Sequence, residues 1–82
     1  MVETRRAPRY RVSKPAQIQY GAKKMACVVR DLSVTGAALQ LSDGSATVPG
    51  AFTLIVPEDN LTLPCRVVWR GSFKIGVTFD LS

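Results

Sequence analysis

Apolar and polar residues alternate with a period of two along almost the whole chain, the pattern of strands that bury one face. It is cleanest in Phe73-Lys74-Ile75-Gly76-Val77-Thr78-Phe79-Asp80, where the odd positions are apolar and the even ones are Lys, Gly, Thr and Asp. Leu61, Leu63, Cys65, Val67 and Trp69 form a second such series, interleaved with Thr62, Pro64, Arg66, Val68 and Arg70. Gly71-Ser72 between the two runs suits a tight hairpin turn. Val12, Ala16, Ile18 and Tyr20 share one phase of a first strand, broken at Lys14. Met25, Cys27 and Val29 mark a second strand, and Ala37, Leu39 and Leu41 a third. Phe52, Leu54 and Val56 mark a fourth, closed by Pro57-Glu58-Asp59-Asn60.

No segment sustains a 3.6-residue apolar spacing, so the pattern predicts no helix. Six short strands with one buried face each must curl around a single core, which predicts an all-β fold, a small barrel. Pro15 and Pro64 lack a backbone donor and belong at strand edges or bulges. Residues 42–50 read as a long, flexible loop. Trp69 falls on the buried phase of its strand, which favours core packing. Its place near the strand end leaves stacking on a ligand open. Tyr10 and Tyr20 read as packing residues, and Lys23-Lys24 as a solvated hairpin turn.

The 82 residues predict one domain over 1–82. A hydrophobic content of 46% argues against disorder. The absence of His removes Ser-His-Asp and Cys-His catalysis and the common His-containing zinc sites, and two Cys cannot complete a four-thiolate site. The expectation is a non-enzyme with no catalytic residue, no metal ligands and no cofactor. Cys27 and Cys65 lie in apolar phases and read as buried free thiols. No run approaches the ~20 apolar residues of a membrane helix, so no membrane insertion is expected. Residues 1–14 are basic but lack the apolar stretch of a signal peptide, which predicts a cytoplasmic protein.

Charge is unevenly spread. The formal net charge is +5, yet the first 14 residues hold five basic groups (Arg5, Arg6, Arg9, Arg11, Lys14) against Glu3, and the remaining 68 hold six against five. A basic N-terminal arm, residues 1–11, thus precedes a nearly neutral body and points to an anionic partner. Within the arm, Arg5-Arg6-Ala7-Pro8-Arg9-Tyr10-Arg11 supplies planar forks that fit phosphate oxygens or the O6 and N7 acceptors of guanine. Pro8 stiffens it and biases Ala7 toward an extended conformation. The connection Asp31-Leu32-Ser33-Val34-Thr35-Gly36 offers the opposite polarity. Asp31 accepts hydrogen bonds only, matching the N1–H and N2–H donors of guanine, and Ser33 donates or accepts. Gly36 permits a positive φ or a close backbone approach. The two clusters together describe a guanine nucleotide site, although spacing alone does not bring them together. A turn-forming role for Asp31 and Ser33 fits the same residues.

Arg5-x-x-x-Arg9 followed by Asp31-x-Ser33-x-x-Gly36 resembles the two-part signature of the PilZ domain family, which binds the bacterial second messenger cyclic di-GMP on a six-stranded antiparallel barrel. The run from Val68-Trp69-Arg70-Gly71 through Ile75-Gly76-Val77-Thr78-Phe79 also resembles that family's final hairpin, so the likeness covers nearly the whole chain. The resemblance implies that Arg5 and Arg9 hold phosphates and guanine faces, with Arg6 beside them. Asp31, Ser33 and Gly36 would line the guanine, with Trp69 at hand for stacking. The expectation is that the arm closes over the ligand and so signals to a downstream effector protein, and that the domain is a monomer. Two departures stand out. Many members carry another Arg immediately before the first motif arginine, where this chain has Thr4, and this favours one ligand per domain over a stacked pair. Many continue into a C-terminal helix, whereas this chain stops at Ser82, leaving a minimal domain and a piece of a longer protein both open. Two rival functions remain: a basic barrel binding RNA or single-stranded DNA nonspecifically, and a PilZ-like module that binds only protein. The first needs aromatics on an outer strand face. Here Phe52, Phe73, Phe79, Tyr20 and Trp69 all share the apolar phase.

Each hydrogen bond to a charged group contributes about 1.5–3 kcal/mol, so Arg9→Ala should weaken cyclic di-GMP binding at least tenfold. Arg6→Ala, outside the motif positions, should weaken it less. Indistinguishable affinities in calorimetry would place the motif elsewhere.

Overall fold

The computed structural model describes residues 10–42, 44 and 48–80. It contains six strands: β1 (Tyr10–Tyr20), β2 (Lys23–Leu32), β3 (Gly36–Leu41), β4 (Ala51–Val56), β5 (Leu61–Arg70) and β6 (Lys74–Phe79). All pairings are antiparallel, and the sheet closes on itself in the order β1-β2-β3-β6-β5-β4. The period-two pattern therefore ends in the barrel it predicts. The one helical element among the described residues is a single 3-10 turn, Pro57–Asp59, between β4 and β5. No helix among them is long and apolar enough to cross a membrane.

The inward phases meet along the barrel axis. Ile18, Val29, Leu39, Leu54 and Ile75 are fully buried, with Ala16, Leu41, Phe52, Val56 and Val77 beside them. Both thiols are free and buried, and burial pushes Cys27 up to about 11 and Cys65 to about 12. Burial thus disfavours the thiolate form of both. The loop between β3 and β4 is more than a connection, because Val48 drops into the core at 2% exposure.

The closing seam is the shortest ladder, three β1–β4 pairs centred on Ile18↔Leu54. Lys14 reinforces it: its ammonium lies 2.7 and 3.0 Å from the Asp59 carboxylate oxygens and 3.8 Å from Glu58. The Asp59 hydrogen bond holds the Lys14 pKa above its ordinary value. Lys14 thus breaks the apolar phase of β1 because that end of the strand faces carboxylates. Pro15 and Pro64 lie within strands, paired with Val28 and Thr53, each beyond the end of its other ladder. A missing donor is tolerated there.

Three β-bulges interrupt the register, in β1 between Arg11 and Lys14, in β2 at Arg30 and in β5 at Val68. A bulge shifts the alternation by one residue, so the residues beyond it change face. Val67 pairs with Val77, but Trp69 pairs with Gly76. Trp69 therefore turns outward and is 47% exposed, contrary to the core packing its phase predicts. Phe73 also leaves the core, at 56% exposure. The β5–β6 ladder ends at Arg70↔Ile75, and the Gly71 N–H donates to the Lys74 carbonyl at 2.7 Å, so the connection is longer than a two-residue turn and includes Phe73. Tyr10, expected to pack, is 63% exposed at the start of β1, whereas Tyr20 packs partly against the core. Gly21, in the left-handed region at φ 59°, makes the β1–β2 turn with Ala22, and Lys23 and Lys24 open β2.

Candidate functional site

Successive ladders place one residue from each of five strands in a single row across the sheet: Arg11, Asp31, Ala38, Gly76 and Trp69. Asp31 and Trp69 each directly follow a bulge residue, Arg30 and Val68. Without those bulges both side chains would continue the inward phase of Val29 and Val67. With them, both face outward. Between stand the two smallest residues available, Ala38 and Gly76, which form a low floor between higher walls. Neighbouring strands lie ~4.8 Å apart, so the walls are roughly 14 Å apart along the sheet.

A cavity of about 240 Å³ occupies this floor, lined by Asp31, Ser33, Gly36 and Trp69 together with Thr35, Ala38, Gly76 and Thr78. Four of the sequence-predicted site residues are thus brought together. The other three, Arg5, Arg6 and Arg9, lie outside the described residues. The register nonetheless joins the two clusters at one point, since Arg11, the last residue of the arm, is the cross-strand partner of Asp31. A smaller cleft of about 160 Å³ adjoins there, lined by Arg11, Val12, Arg30, Asp31 and Lys74. Three cations surround one carboxylate, and none of the four forms an ion pair among the described residues. The local field favours an anion.

The side chains of the second cluster divide their roles. Ser33 Oγ accepts the N–H groups of Thr35 and Gly36, each at 3.2 Å, and the Ser33 N–H donates to the Gly36 carbonyl at 2.9 Å. This is an ST-turn, the structural alternative the sequence allows. The Thr35 carbonyl in turn accepts the Phe79 N–H at 2.8 Å and the Thr78 hydroxyl at 3.1 Å, which fastens the loop to β6. Gly36 is not in the left-handed region. A Cβ there would run into the Val77 carbonyl oxygen and lie 3.2 Å from Thr78 Cα, so its missing side chain makes room for β6. The Asp31 side chain makes no hydrogen bond among the described residues, and the residue lines both cavities.

Sequence reasoning missed the floor. Ala38 and Gly76 sit in the polar phases of β3 and β6, where a small residue is the available signal, and the bulges hide which wall each faces. No cluster of three or more His, Cys, Asp or Glu among the described residues is arranged to hold a metal.

The chain matches the PilZ domain family model over residues 3–82. Its fold is similar to the crystal structure of the PilZ domain of CeSA from a cellulose-synthesizing bacterium, with a TM-score of 0.71 and 21% identity, covering 93% of this chain and 83% of that one. At that identity the likeness concerns the fold. None of the curated proteins compared with the chain matches it.

Because the Asp31 side chain makes no hydrogen bond or ion pair among the described residues, Asp31→Ala should leave circular dichroism and thermal unfolding nearly unchanged while weakening cyclic di-GMP binding. Heparin, a generic polyanion, should bind the variant no less well, since a negative charge is lost. An unfolded variant would assign Asp31 to the turn instead.

Proposed function

The chain belongs to the PilZ domain family, and from that membership we propose that it is a non-enzymatic receptor domain for cyclic di-GMP. The observation that carries the reading is the cross-strand row, with a carboxylate unpaired among the described residues and three cations at one end and a half-exposed indole at the other. A guanine base offers donors to Asp31 and a flat face to Trp69. The phosphates of the same ligand suit the cleft of Arg11, Arg30 and Lys74.

A cavity of about 240 Å³ is smaller than the ~300–1,000 Å³ pockets that enclose drug-sized ligands. It seats a base and leaves the rest of a cyclic dinucleotide to be covered. In this reading Arg5 and Arg9 of the arm supply the cover, with Arg6 beside them. Arg9 directly precedes Tyr10, and Arg5, five residues from Tyr10, reaches at most about 18 Å from it. Tyr10 and Arg11 already belong to β1, so ordering on binding concerns residues 5–9. Fixing five residues from a free chain costs about 5–10 kcal/mol at ~1–2 kcal/mol each, comparable with the whole binding energy of a nanomolar to micromolar ligand. The exposure of Tyr10 removes its packing as a restraint on the arm. The closed arm then presents a new surface to a downstream effector protein in the cytoplasm.

A second reading, binding of RNA or single-stranded DNA, gains from the outward turn of Trp69 and Phe73. Alternation alone places both aromatics in the core, but their exposure makes both available for base stacking.

Calorimetry with cyclic di-GMP, GTP and a short single-stranded RNA separates the readings. Cyclic di-GMP should bind between nanomolar and micromolar, roughly −12 to −8 kcal/mol, and the other two far more weakly. Equal affinity for GTP would overturn the claimed specificity, and preferential RNA binding would favour the second reading.

A further inference from the structure

Gly76 is buried although it belongs to the outward phase of β6, between the inward Ile75 and Val77. Trp69 buries it. A Cβ built on Gly76 would collide with Nε1, Cε2 and Cδ1 of the indole, all atoms of its five-membered ring. That ring therefore lies directly on the Gly76 backbone, in the space where every other residue carries a side chain. The indole is nevertheless 47% exposed, so one side is packed and much of the rest is open to the cavity.

We propose that Gly76 is a positioning residue that acts through Trp69, seating the indole against β6 so that its free face forms the far wall of the cavity. A glycine inside a strand weakens the strand, and a cross-strand aromatic that covers it compensates. The exchange has a consequence for binding. Packing one face of the indole restricts its two χ angles before any ligand arrives, and a preorganised aromatic loses less entropy when a base stacks on it. The bulge at Val68 brings Trp69 into register with Gly76, and the glycine lets it lie down. A side chain at 76 lifts the indole off the sheet and narrows or removes the cavity wall. The colliding atoms belong to an exposed side chain and not to backbone, so the indole can swing into solvent and the barrel survives.

The inference rests on the cyclic di-GMP reading for its effect on binding, but the indole's seat is independent of any ligand. Trp69 is the sole tryptophan, so its fluorescence reports on the seat without interference from another indole. In ligand-free protein, Gly76→Ala should raise acrylamide quenching and shift the emission to the red, with circular dichroism unchanged. Calorimetry with cyclic di-GMP on the wild type, Gly76→Ala, Trp69→Ala and the double variant completes the test. Gly76→Ala should weaken binding about tenfold, the order lost when a stacking aromatic is misplaced, and less than about twofold when Trp69 is already Ala. Equal losses in both backgrounds would show that Gly76 does not act through Trp69, and unchanged quenching would show that the seat does not exist. If Gly76→Ala fails to fold, the wild-type nuclear Overhauser contact between the Trp69 indole N–H and the Gly76 Hα protons decides. Its presence supports the seat and its absence overturns it. If the wild type does not bind cyclic di-GMP, the receptor reading and the positioning role in binding fail together, while quenching still decides the seat.

Discussion

The site depends on two of the barrel's three bulges, each a single-residue interruption of a strand's alternation. A strand that alternates strictly commits every second side chain to the core, and a closed sheet leaves no edge at which to change that commitment. The bulges at Arg30 and Val68 change it inside the ladders. Each takes a residue that would have pointed inward and delivers it to the outer face, one a carboxylate and the other an indole. Because β3 and β6 continue in regular register between them, the two emerge on the same row, separated by Ala38 and Gly76. Position, depth and polarity of the cavity derive from that arrangement.

The remaining contacts tie the Ser33–Gly36 loop to the sheet beside the row without engaging the Asp31 carboxylate. Ser33 commits its hydroxyl to its own loop, and Thr35 fastens that loop to β6, while the Asp31 carboxylate has no hydrogen-bond partner among the described residues. Gly36 lacks a side chain and so lets β6 approach, as Gly76 does for Trp69. On the opposite seam, where only three pairs close β1 onto β4, the buried Ile18 and Leu54 and the Lys14–Asp59 contact hold the barrel shut. Cys27 and Cys65 lie in the core, where burial raises the pKa of both thiols.

Much of this is legible in the sequence, and the parts that are not share a cause. Ile75 and Val77, or Phe52, Leu54 and Val56, alternate cleanly because their strands carry no bulge, and the structure buries them as the pattern predicts. Asp31, Ser33 and Gly36 are recognisable by residue type and spacing. The outward turn of Trp69 is not, because alternation extrapolates Val67 straight into the core and nothing in the local sequence marks Val68 as an extra residue. Phe73 is misread for a related reason: the ladder ends at Arg70↔Ile75, so the apolar series runs past the end of the strand pair. The meeting of the basic arm with Asp31 is also invisible in the linear chain, since it is a matter of β1–β2 register across the β1 bulge. Bulges and register are properties of strand pairs, and a single strand's composition does not encode them.

The central claim is that one row, running from Arg11 through Asp31, Ala38 and Gly76 to Trp69, is the ligand-binding surface. Backbone amide chemical shifts recorded during titration with cyclic di-GMP test it most directly. The account predicts that the large changes fall on that row and on the Ser33–Gly36 loop, with the Gly21–Ala22 turn and Asn60 unmoved. Changes concentrated around Tyr20, Phe52 and Cys65, with the row silent at saturation, would contradict it.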